Sequence, residues 1–132
     1  MSQRELINPP GLHPAPGFSH IAVAAGTKVV HLAGQVALDQ RFGIVGGDDL
    51  GEQTKAAMGN VELALKAAGA TWDDVVRRTI YTLHPTEYAT ITAAIDEVTG
   101  GAEHPAQTIV GITGLAVAGL LIEIECTAVV TG

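Results

Sequence analysis

Two glutamates, two positions apart in an otherwise apolar run, are the feature of this chain best suited to chemistry. In Leu121-Ile122-Glu123-Ile124-Glu125-Cys126 the period-2 alternation of a strand puts Ile122, Ile124 and Cys126 on one face and Glu123 and Glu125 on the other. Two carboxylates so arranged stand roughly 7 Å apart. They could act as general acid and general base, or hold a water for attack on a carbon–nitrogen double bond. A merely solvated strand face gives the same pattern.

The five histidines, His13, His20, His31, His84 and His104, form neither an H-x-H nor an H-E-x-x-H arrangement, so no metal site is expected. His31 lies inside an apolar strand and reads as a hydrogen-bonded core residue. His84 and His104 flank prolines at loop ends and read as surface residues. His20, after the Gly17-Phe18-Ser19 turn, is the one placed to face a cleft. Cys126 points the same way as Ile122 and Ile124 and reads as a buried structural thiol. Gly43, Gly46 and Gly47 do not make a G-x-G-x-x-G fingerprint, and neither a nucleophile elbow nor a phosphate-cradling loop occurs. No cofactor is expected.

These groups need a scaffold, and the composition describes it. The chain has 132 residues, the size of one domain spanning residues 1–132. It is 47% apolar and 16% charged, with a mean hydropathy of +0.30, which excludes disorder. Seven Lys and Arg against fourteen Asp and Glu leave a net charge of −7. Such a balance argues against nucleic-acid binding, which needs basic residues to neutralise phosphates. The single Cys126 and a start from Met1 to Pro16 with four prolines and no apolar core point to a reducing cytoplasm. No apolar run reaches the ~20 residues of a membrane span. Low charge with high apolar content also predicts that part of the surface is hidden in an oligomer.

The segments around Asn8-Pro9-Pro10-Gly11 and Pro14-Ala15-Pro16-Gly17 read as an extended, turn-rich arm. Strands are predicted over 19–25 and 28–36, joined as a hairpin at Gly26-Thr27. The second is apolar on both faces, as in a strand covered on both sides. A helix follows, with Asp49 as N-cap and Glu52 completing a capping box. Its stripe is Leu50, Thr54, Ala57, Met58, Val61, Leu65 and Ala68, and Gly69 stops it. Thr71 and Asp74 cap a short turn before a strand over 75–83. Pro85-Thr86 opens a second helix with apolar face Tyr88, Ile91, Ile95 and Val98, ended by Gly100-Gly101. Strands over 107–112 and 120–130 finish the chain. The order β-β-α-β-α-β-β gives an α+β fold, two amphipathic helices on one face of a sheet. The other face is expected to be apolar and to pack against other subunits.

This element order, with Gly34-Gln35 after an apolar strand, Gln53-Thr54, Asn60, Ala67-Ala68-Gly69, Asp74-Val75-Val76, Pro105-Ala106 and the terminal Ile122-Glu123-Ile124-Glu125, resembles the Rid family, also called YjgF or L-PSP type. The resemblance runs from about Asn8 to Val130. It implies a chorismate-mutase-like fold in a homotrimer, with ligand sites in clefts between subunits. It also implies hydrolysis of reactive enamine and imine intermediates of amino-acid metabolism to keto acids and ammonia, without a cofactor.

Carried over position by position, the resemblance gives Glu123 the role of the carboxylate that positions water. Where deaminating members have an Arg after Pro-Ala to clamp the substrate carboxylate, this chain has Gln107. Ala33 replaces the Ser of a Ser-Gly-Gln motif, and Thr92 replaces an Asn of the second helix. The position of a turn Tyr falls to His20, or in another register to Phe18. An Arg–carboxylate fork is charge-assisted and bidentate, and a neutral Gln does not replace its charge. Lys28, Arg77 and Arg78 are possible substitutes, and Gln107→Arg is expected to restore the clamp. Three functions compete: a Rid-type imine or enamine hydrolase, a non-catalytic small-ligand-binding or regulatory trimer, and a ribonuclease, which the charge disfavours.

Overall fold

Alternation along the last strand organises the molecule. In the computed structural model, which describes residues 3–132, β7 (Ile122–Val130) is flanked on both sides. Met1 and Ser2, at the start of the arm and of the domain expected over 1–132, lie outside the described residues. The other strands are β1 (Arg4–Ile7), β2 (Ile21–Ala24), β3 (Lys28–His31), β4 (Gln35–Val36), β5 (Val75–Thr82) and β6 (Ala106–Gly111). Helices α1 (Leu50–Ala67) and α2 (Tyr88–Thr99) lie between β4 and β5 and between β5 and β6. The main sheet runs β3-β7-β5-β6, with β4 beside β3 on the same edge of β7. Only the β5–β6 pair is parallel, as the α2 crossover requires.

Ile80, Ile122, Ile124, Cys126 and Ala128 point to one face and meet Ala57, Met58, Val61 and Leu65 of α1 and Ile91 and Ile95 of α2. This is the two-helices-on-one-face α+β arrangement expected. Asp49 caps α1, its Oδ1 accepting from the Glu52 N–H at 2.8 Å. The capping box is only half made: the Glu52 carboxylate turns to Lys55 instead, at 2.9 Å. Gly100, with φ 72°, ends α2 in the left-handed region that favours glycine. Ala68 and Tyr88, placed on the apolar stripes by periodicity, are exposed at the helix ends, and Gln53 is buried in their stead. Gln53 is paid for in hydrogen bonds, donating to the Gly47 and Gly119 carbonyls and accepting from Leu121 N–H.

Three expectations are corrected. The 19–25 and 28–36 runs do not form a hairpin, because β2 pairs with β1 and β3 pairs with β7. The turn between them hooks onto the end of β7, where Thr27 N–H donates to the Val130 carbonyl at 3.0 Å. The 28–36 run is not one strand. His31 faces Thr127 and Gln35 faces Ile124, four residues of advance against three, so one extra residue bulges out at 32–34. The sheet face away from the helices is not apolar: Arg77, Thr79, Tyr81, Glu123, Glu125 and Thr127 occupy its middle, and only margins such as Val29 and Val110 are apolar. The expectation extended the pattern of β3 to strands whose outward positions are polar.

Candidate functional site

On the open sheet face the two glutamates have different surroundings. Glu125 accepts the Tyr81 hydroxyl at 2.6 Å, and that bond lifts the Tyr81 pKa above its ordinary value. Glu123 faces Tyr81 across the β5–β7 ladder, and its carboxylate makes no hydrogen bond or ion pair among the described residues. It lies over the bulge. A Cβ added at Gly34 would collide with Glu123 Oε2 and stand 2.7 Å from its Cδ. The absence of a side chain at 34 is therefore what allows this carboxylate its position. Ala33, next to Gly34, is exposed in the same bulge.

The second group of residues sits on the other face of the sheet. A groove of about 320 Å³ is lined by Pro16, Phe18, Pro85, Tyr88, Thr92, Gln107 and Ile109. The arm forms one wall because it is tied to the start of β6: Ser19 N–H donates to the Pro105 carbonyl at 2.9 Å, and Ser19 Oγ donates to the His104 carbonyl at 2.6 Å. Gly17, with φ 79°, lets the arm lie on α2, since a Cβ there would fall 2.6 Å from Thr92 Oγ1. Phe18, Thr92 and Gln107 are thus brought together. His20 is not among the lining residues: its ring packs edge-on against Phe18 and its Nε2–H donates to the His13 carbonyl at 2.8 Å. Of the two candidates for the turn-ring position, Phe18 is the one at the groove.

Behind Gln107 lies the side chain that the sequence left unplaced. Arg78 is 3% exposed. Its Nε–H donates to Gln107 Oε1 at 2.5 Å, and its Nη2 donates to the Gly17 carbonyl at 3.1 Å and to His104 Nδ1 at 2.9 Å. A guanidinium has only donors, so His104 Nδ1 is the acceptor and its proton is on Nε2, which donates to Asp96 Oδ1 at 2.8 Å. Burial pushes the Arg78 pKa down to about 10, against the opposing pull of Cys126 and Asp96, and leaves it charged at neutral pH. Burial, and then the Arg78 charge, hold His104 below its ordinary value.

Two of the histidine readings change here. His104 is held between Arg78 and Asp96 rather than at the surface, and His31 is exposed on the open face, with Nδ1 3.2 Å from Thr127 Oγ1. Cys126 is buried, and burial pushes its thiol up to about 11. Among the described residues no three His, Cys, Asp or Glu side chains gather so as to hold a metal ion, and no helix is long and apolar enough to cross a membrane. The expectation that Arg at 107 would restore a clamp meets the buried Arg78 guanidinium already in place beside it.

The sequence did carry a signal for Arg78. It has the parity of Ile80 and Thr82, so a charged residue stood at a core-facing position of β5. Tyr88, read as core, is instead an exposed wall of the groove.

Similarity to known proteins spans both groups of residues. The family described as Endoribonuclease L-PSP matches residues 10–130. A RutC family protein of Synechocystis is 31% identical over 117 residues, 88% of this chain and 89% of that protein. The 2-iminobutanoate/2-iminopropanoate deaminase of Salmonella typhimurium is 29% identical over 109 residues, 81% of this chain and 83% of the deaminase. Among solved structures, a protein of unknown function of the conserved Rid family from Yersinia pestis has a TM-score of 0.90 at 39% identity, covering 97% of this chain and 99% of that one.

Proposed function

The chain belongs to the Rid family, the Endoribonuclease L-PSP group, and from that premise we propose that it hydrolyses imines or enamines at a cleft shared between copies of itself. The observation that carries this reading is the division of the site residues. Glu123 and Ala33 lie on the open face of the sheet, and Gln107, Phe18 and Thr92 lie at the groove on the other side. One copy cannot bring the two sets to one ligand. Two copies can, if the open face of one covers the groove of the next, and repetition of that heterologous contact closes a ring such as a trimer. One Rid domain spanning the chain and acting in the cytoplasm completes the reading.

The chemistry asks little of the protein. Water held by Glu123 adds to the carbon of the C=N bond, and Glu123 takes the proton it loses. That proton passes to nitrogen to give the neutral carbinolamine; Glu123 then takes the hydroxyl proton and hands it to nitrogen as the C–N bond breaks, so a carbonyl forms and ammonia leaves. An enamine first takes a proton on carbon and gives one up from nitrogen to become the imine. No cofactor, nucleic acid or metal enters. A relative named for 2-imino acid deamination supports the reaction class. Gln107, where deaminating members carry an Arg, favours a second reading, a trimer that binds the small molecule without turning it over.

Ammonia release from imines formed in situ by an amino-acid oxidase tests the reading. Acceleration by the wild type, lost in Glu123→Gln, is the expected result. A monomer in light scattering at micromolar concentration would overturn the shared cleft, and ligand binding with no ammonia release would leave the second reading in possession.

A further inference from the structure

The Arg78–Gln107 bond fixes more than a packing arrangement. An arginine offers only donors, so the atom of Gln107 that meets Arg78 Nε must be the amide oxygen. The amide nitrogen is thereby turned the other way, and it has no hydrogen-bond partner among the described residues. Gln107 lines the groove, while Arg78, at 3% exposure, does not. The guanidinium is further held by the Gly17 carbonyl and by His104, which Asp96 anchors from α2. Its charge is thus committed to the scaffold, and what the groove presents is an uncharged N–H₂ group whose oxygen is already engaged by a cation.

The walls around that group are Pro16, Phe18, Pro85 and Ile109, with hydroxyls from Thr92 and Tyr88. None of the lining residues is charged. Asp96 lines the adjoining groove beside Pro16, Tyr88 and Thr92, which adds a negative charge at the rim. A carboxylate entering here loses water without meeting a cation, and leaving a charge so unpaired is costly. A neutral carbonyl loses less and can accept from Gln107. A carboxamide fits better still, since its own N–H can donate to the Thr92 or Tyr88 hydroxyl.

We propose that the Arg78–Gln107 pair sets the ligand class of this groove, selecting a neutral carbonyl head group, a carboxamide above all, over the carboxylate of a 2-imino or 2-oxo acid. The inference rests on the groove being half of the ligand cleft read above, and it deepens that reading by naming the head group. Arg78 is a positioning residue in this scheme: it acts through the amide it orients.

The test is a titration of the ¹⁵N-labelled full chain, in its solution oligomer, with 2-oxobutanamide and separately with 2-oxobutanoate. The side-chain N–H₂ signals of Gln107, identified by their loss in Gln107→Leu, report contact at the amide. The amide is expected to bind at least tenfold more tightly than the carboxylate and to shift those signals. Gln107→Leu should abolish the preference. Arg78→Met should narrow it by freeing the amide to rotate. If that variant does not fold, Gln107→Glu serves in its place, because a carboxylate paired with Arg78 presents no donor and should weaken amide binding at least tenfold. Equal or tighter binding of 2-oxobutanoate, an amide preference that survives Gln107→Leu, or binding of neither probe would overturn the proposal. Because binding is read without turnover, an error in the hydrolytic assignment appears separately, as selective binding with no ammonia release. An error in the head group appears as ammonia release with carboxylate preference.

Discussion

Glu123 lies over the backbone of Gly34, and the carboxylate occupies the space a Cβ at that position would need. The bulge at 32–34 produces this contact by adding one residue opposite β7. Gly34→Ala should therefore act on Glu123 rather than on the fold. The atoms to be displaced, Cγ, Cδ and Oε2, all belong to one flexible side chain, so stability should change by no more than about 1 kcal/mol. A carboxylate moved by about an ångström loses its hold on water, and turnover of any imine substrate should drop about a hundredfold. Thermal melts alongside ammonia-release kinetics check both parts; an unaltered rate would remove Glu123 from the chemistry.

The two glutamates should prove unequal. Glu123→Gln removes the only one of the pair without a hydrogen-bond partner among the described residues, and as a general base its loss should cost about 10²–10⁴ in kcat. Glu125 is occupied by the Tyr81 hydroxyl at 2.6 Å. Glu125→Gln keeps an oxygen to accept that bond, so its effect should stay within about tenfold. Parallel kinetics on the two variants decide the matter, and equal losses would mean that the carboxylates act as a coupled pair.

What could be read from the sequence was what depends on neighbours along the chain. Helix α1 was legible because Asp49, the 3.6-residue stripe and Gly69 agree with one another, and β7 because Glu123 and Glu125 alternate with isoleucines. What was missed depends on pairing between distant segments. Gly26-Thr27 carries the turn chemistry of a hairpin, yet Thr27 bonds to Val130, 103 residues on, which no local pattern encodes. The contact of Arg78 with Gln107 follows from the β5–β6 register, in which these two residues face each other. Sequence parity placed Arg78 inward without saying what it would meet, and so Lys28, Arg77 and Arg78 stood as equal substitutes for the charge missing at 107.

That neighbour changes what Gln107→Arg should do. A second guanidinium would stand beside Arg78, where Gln107 Oε1 now accepts, and two like charges would share a partly buried site. The bond to Arg78 would be lost as well. The variant should be less stable than wild type by about 1–3 kcal/mol, and it should gain no activity on 2-imino acids. Chemical denaturation and the oxidase-coupled assay read the two effects. A stable Gln107→Arg protein with raised activity would show that Arg78 yields its place, and the clamp would then be open to restoration.

His104 gives the fold a dependence on acid. Its Nδ1 accepts from Arg78 Nη2 at 2.9 Å, so the folded protein requires the neutral ring, and protonation would set a second cation against Arg78. Burial first and Arg78 second depress its pKa below the ordinary 6.5, Arg4 acts in the same sense, and Asp96 opposes them. With the folded pKa below the unfolded one, both states hold a neutral His104 above about pH 6.5, and its contribution there is constant. Below that pH the unfolded chain takes up the proton first. Stability is lost progressively until the pH reaches the lowered folded value, and the slope then fades. His104→Gln keeps an oxygen for Arg78 and an N–H for Asp96 but cannot titrate. Urea denaturation at pH 7.5, 6.5 and 5.5 should show wild type weakening chiefly between pH 6.5 and 5.5 and His104→Gln weakening less. If the two proteins lose stability in parallel, the acid sensitivity belongs to other groups, and the neutral His104 assigned from the Arg78 contact loses its support.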